Sequence, residues 1–206
     1  MKVVSIEKKG VSVKKCLFLT VGFEVLIIIL AIGYYGYTAN ALQAIARYSG
    51  RLSLLIFAMI FILESQPFLL RDWLSKHYFF VFAVAHGIHL IELLMYVSVS
   101  GTRLIPYRIA GGALAYAIIF IMPLIHHLFH KQQIAPKTFS IWRHVYLYYV
   151  WFIFLMTYIP RVLGKLPQAG GTYAEHVLLL ILVLAILAVR VAFILKPRSA
   201  SGHNVL

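Results

Sequence analysis

YFFVFAVAHGIHLIELLMYV, residues 78–97, decides the fold. About 20 largely apolar residues in a row are what a helix needs to cross a hydrocarbon core of ~30 Å. Within this run stand Ala85-His86-Gly87-Ile88-His89-Leu90. Two imidazoles one helical turn apart at membrane depth are costly, and residues of that kind are functional candidates.

The flanking sequence repeats the pattern. The chain has 206 residues, of which 62% are hydrophobic and 12% charged. A soluble domain is nearer ~45–50% apolar and ~25% charged. Mean hydropathy is +0.89, as expected of an integral membrane protein. Further apolar runs cover 17–37, 51–70, 109–129, 139–159 and 175–195, separated by Pro, Gly and charged residues. The expected fold is therefore all-α, a bundle of six transmembrane helices. A basic tail (1–15) precedes the membrane domain (16–197), and a short tail (198–206) follows it. The first run resembles a signal peptide, with Ala39-Asn40-Ala41 after it. At about 20 residues it exceeds the usual h-region, and it contains Glu24, so a retained helix is favoured.

Charge sets the expected orientation. With the N-terminus inside, twelve Lys and Arg fall on cytoplasmic segments. Arg47, Arg51, Arg103, Arg108, Arg161 and Lys165 fall outside. That asymmetry places both termini in the cytoplasm. The net charge of +13 comes from residues at the ends of apolar runs. It therefore points to anionic lipid, not to nucleic acid. The single cysteine, Cys16, excludes an internal disulfide, a Cys-x-x-Cys-His haem attachment and a Cys-ligated cluster. No Gly-rich phosphate loop is present, and no flavin or NAD(P) domain has room to fold.

Four ionisable residues fall inside the runs: Glu24, Glu64, Glu92 and Arg190. Glu24, Glu64 and Arg190 count to similar depths from the cytoplasmic side, roughly 8–10 Å at 1.5 Å per residue. An ion pair between Arg190 and one of these glutamates is one expectation, and a snorkelling Arg190 is another. Glu92, one turn after His89, either orients an imidazole by hydrogen bonding or is a neutral acid.

Of nine histidines, His77 and His203 read as solvated and His176 as interfacial. His126, His127 and His130 crowd one helix end. Two of them share a face at i,i+4, but no carboxylate or Cys lies near them in sequence. A metal-dependent membrane enzyme built on them is the weakest reading. His86 counts to a depth of about 12 Å, His89 to about 17 Å and His144 to about 8 Å. A haem held between two helices needs imidazoles at similar depth, one from each. His86 and His144 match within a turn, and His89 matches more loosely. Arg143 and Lys76, or Arg51 and Arg47 for a haem placed higher, are the basic residues available to propionates.

Four segments together resemble the ferric reductase-like transmembrane domain superfamily. They are Tyr48-Ser49-Gly50-Arg51-Leu52, Pro67-Phe68-Leu69-Leu70, Ala85–Leu90, and Trp142-Arg143-His144 with Tyr148-Tyr149-Val150-Trp151. This superfamily includes the haem-binding membrane subunit of bacterial methionine-sulfoxide reductase and the membrane halves of NADPH oxidases and ferric reductases. The likeness covers roughly residues 40–165. It implies haem b with His86, His89 and His144 as axial candidates, and electron transfer across the bacterial cytoplasmic membrane. Electrons would come from a separate reductase or quinol and pass to an extracytoplasmic acceptor, making the chain an oxidoreductase subunit. Two features depart from the pattern. Thr157 stands where members with two haems often carry a second histidine of helix five, which favours one haem over two. Trp142 also stands closer to His144 than in the family pattern. The alternative is a haem-free transporter or assembly subunit that uses the intramembrane Glu and Arg residues.

Overall fold

The computed structural model describes residues 12–64, 77–101, 106–166 and 170–195. The segment Pro67-Phe68-Leu69-Leu70, Lys76, His203, residues 1–11 of the basic tail and the 198–206 tail lie outside the described residues. Every element among those described is a helix: α1 (Val13–Tyr35), α2 (Ala39–Leu63), α3 (Tyr78–Ser100), α4 (Pro106–His130), α5 (Pro136–Val162) and α6 (Tyr173–Leu195). All six are long and apolar enough to cross a membrane. The chain is an integral membrane protein with a six-helix bundle.

Local chemistry sets the helix starts. Thr38 caps α2, its hydroxyl accepting from Ala41 N at 3.4 Å. Ala39-Asn40-Ala41 is thus the opening turn of a helix. Pro136 occupies the first turn of α5, where its missing N–H costs nothing. A reciprocal capping box opens α6: Glu175 N donates to Thr172 Oγ1 at 3.3 Å, and Thr172 N donates to Glu175 Oε2 at 2.7 Å.

α2 differs most from expectation. The hydropathy reading began the second run at 51, taking Arg47 and Arg51 as its flank. The helix begins at Ala39, after the Thr38 cap, and both arginines lie within it, half-buried.

Helices α2, α3, α4, α5 and α6 form a ring in which each packs on the next, and α6 returns to α2. α1 lies outside this ring, against α2 and α3. It is apolar all round, with Phe18, Leu19, Ile29 and Leu30 exposed as a lipid-facing helix requires. Only Thr20, Glu24 and Ala31 of α1 are buried, and Ile28 and Ile32 pack beside Ala31 against Ala44 and Ile45 of α2.

Taking the side on which α1 begins as the near side, the near half of the ring is filled by aromatic rings. Phe57 stands 5.5 Å from Phe61, 5.6 Å from Phe82 and 5.4 Å from Phe154, centroid to centroid. Tyr146 meets Phe79 edge-on at 4.9 Å. Trp151 Nε1 donates to the Val183 carbonyl at 2.9 Å and ties α5 to α6.

Arg190 departs from the sequence expectation. Its Nη1 donates to the Phe61 carbonyl, and its Nε to the Tyr148 hydroxyl at 3.4 Å. Its guanidinium lies 4.7 Å over the Phe61 ring. Arg190 thus reaches a carbonyl in the last turn of α2. Glu64 pairs instead with Arg143 (Nη1 to Oε1, 3.2 Å) and accepts from Tyr78 at 3.1 Å.

Candidate functional site

The far half of the ring is hollow. A cavity of about 360 Å³ lies there, within the usual range for small-molecule sites. Its floor and walls carry His86, His89, Tyr116, Ile119, Val150 and Phe154. Its mouth carries Gln43, Arg47, Arg51, Tyr96, Arg161 and His176. The mouth residues come from the start and middle of α2, the end of α3, the end of α5 and the start of α6, so the cavity opens to the far side.

Helical periodicity explains why α3 delivers two imidazoles. His86 and His89 are three residues apart and share a face. Their rings stand 5.3 Å apart. His86 is stacked between Phe82 at 5.2 Å and Tyr116 at 4.7 Å. His89 turns toward α2, where Gly50 makes room for it. A Cβ at Gly50 would come 2.9 Å from His89 Cε1. Nδ1 of His86, Nδ1 of His89 and Nδ1 of His176 are all buried without a hydrogen-bond partner. Buried polar atoms left so are uncommon.

The mouth is cationic. Arg47, Arg51 and Arg161 converge there, and Glu175 faces Arg51 with contacts of 3.1 and 3.2 Å. Arg161 Nη1 also donates to the Thr157 carbonyl at 2.6 Å. The loop before α6 closes tightly over this cluster. Gly170 and Gly171 both have positive φ, 65° and 86°, and a Cβ at Gly170 would meet Arg47 Nη1 at 2.7 Å. Three guanidiniums above an apolar floor suit an amphipathic anion.

The structure divides the sequence candidates into two groups. His86, His89 and Arg51 come together at the cavity. His144 and Arg143 stand elsewhere. His144 is exposed; its Nδ1 lies 2.6 Å from the Ser140 carbonyl and its ring beside Tyr148. Arg143 is committed to Glu64. Depth counting put His144 near the height of His86. It did not see that α5 buries Phe139, Tyr146, Leu147, Val150, Phe154 and Tyr158, a stripe that excludes position 144.

His176 was read as interfacial, yet only 8% of it is exposed. The α6 face of His176, Val183, Ile186 and Arg190 would have revealed it, at spacings of seven, three and four. Glu92 does not orient an imidazole: its carboxyl oxygens and His89 Nδ1 all lack partners. It faces Ser49 and Glu24 instead. Ser49 Oγ donates to Glu24 Oε1 at 3.0 Å. His126 Nε2 and His130 Nε2 face each other at 3.0 Å. Among the described residues no three His, Cys, Asp or Glu side chains form a metal-binding group.

Comparison with protein-family models, with curated proteins and with solved structures gives no match.

Proposed function

We propose that the chain is a b-type haem protein of the bacterial cytoplasmic membrane that passes electrons across the bilayer. Its donor would be a partner reductase or quinol, and its acceptor would lie on the extracytoplasmic side. One observation carries this reading: His86, His89 and His176 line one cavity together with Arg47, Arg51 and Arg161. Neutral imidazole is a good iron ligand, and an apolar chamber with a cationic rim suits a macrocycle bearing propionates. The residues present therefore fit the group at this place. Haem supplies a one-electron couple. The chain's own residues would bind it through His86 or His89, hold its carboxylates at Arg47, Arg51 and Arg161, and keep water from its apolar faces.

The test is the absorption spectrum of purified protein, oxidised and dithionite-reduced. A Soret band that is lost or shifted in His86→Ala and His89→Ala, and kept in His144→Ala, is expected. Protein without a Soret band would overturn the reading.

A second reading, a haem-free transporter or assembly subunit, draws on Glu24 and Glu92. Their carboxyls are buried between α1, α2 and α3, and Glu24 Oε2 and both Glu92 oxygens lack partners. Proton-coupled flux in haem-free liposomes, lost in Glu24→Gln, would favour it.

A further inference from the structure

We propose that His126 and His130, at the near-side end of α4, form a two-imidazole site for a divalent ion of the copper or nickel class. The site lies at the opposite end of the bundle from the cavity, and nothing in it depends on haem. The two residues are four apart on one helix and so share a face. Their Nε2 atoms stand 3.0 Å apart. Two imidazoles at that spacing, each bound to one ion at about 2.0–2.1 Å, subtend about 95° at the metal. That is nearer the right angle of tetragonal copper or nickel than the wider angle of tetrahedral zinc. The ion replaces the hydrogen bond that the two rings otherwise share.

The surroundings hold the pair in this geometry. His126 is buried, with Phe79 edge-on at 5.1 Å and Phe139 stacked at 5.6 Å. His130 is exposed, so an ion can reach the pair from the near side. The helix keeps its form through His130 and then turns sharply. Lys131 N donates to the His127 carbonyl at 3.1 Å and Gln133 N to the Leu128 carbonyl at 3.0 Å, with Gln132 at φ 58°. The carbonyl end of a helix also favours a cation. The guanidinium of Arg143 lies 5.9 Å over the Phe139 ring, but its charge is met by Glu64 at 3.2 Å. Among the described residues no third His, Cys, Asp or Glu joins the pair, so water takes the ion's remaining positions.

The test titrates Cu(II) alone into the full chain, purified without a histidine tag, and reads binding by calorimetry and electron paramagnetic resonance. Wild type should bind with coupling to two nitrogens. Because His130 is exposed, His130→Ala spares the core; it should weaken binding by roughly ten-fold or more and reduce the coupling to one nitrogen. His127→Ala, on the same turn but a different face, should bind as wild type does. Equal binding by wild type and His130→Ala, equal weakening in His127→Ala and His130→Ala, or no binding at all overturns the proposal and leaves the pair a hydrogen bond only.

Discussion

Gly50 and His89 are in direct contact: the His89 ring occupies the space that any side chain at position 50 would need. Gly→Ala in a helix interior ordinarily gains about 1 kcal/mol. Here a Cβ would stand 2.9 Å from a ring carbon that is not the tip of a flexible chain. Overpacking of this kind costs about 1–3 kcal/mol and should win. Gly50→Ala should therefore lower the thermal midpoint in detergent and shift the Soret band, whereas Gly22→Ala, with nothing within 4 Å, should do neither.

Arg143 and Glu64 form the near-side ion pair, with the Glu64 side chain 2% exposed. Removing one partner of a buried pair leaves an uncompensated charge and costs about 3–5 kcal/mol. Arg143→Met should destabilise by that order in denaturant titration. The double variant Arg143→Met with Glu64→Leu should recover most of the loss, since it leaves no charge unpaired.

Glu175 holds Arg51 and closes the capping box of α6. Glu175→Gln weakens the first role and can keep the second. Glu175→Ala removes both and should cost about 1 kcal/mol more, the usual worth of a cap. Thermal unfolding of the two variants, side by side, checks the order.

The arginines at the mouth should govern anion affinity. A hydrogen bond to a charged group contributes about 1.5–3 kcal/mol, so Arg47→Gln should weaken haem retention by roughly ten-fold or more. Competition with apomyoglobin measures this. Arg190→Gln, away from the cavity, should leave retention unchanged while lowering stability, because it strips the Phe61 carbonyl of its partner.

The six helices long and apolar enough to span a membrane were legible in the sequence. Hydropathy sums over many residues, and the rise of a helix is constant, so length and depth survive without tertiary knowledge. The start of α2 was misread because half-buried Arg47 and Arg51 look like a polar flank until a cavity is known to hold them. The azimuth of each helix was decided only by packing. His144 and His86 count to similar heights, yet one faces outward and the other faces the cavity. Partner choice was tertiary as well. Arg190 and Glu64 were visible as costly residues, and Arg143 as a basic residue near a helix start. Which of them met depended on the closed ring from α2 to α6, where side chains distant in sequence are brought within hydrogen-bonding reach.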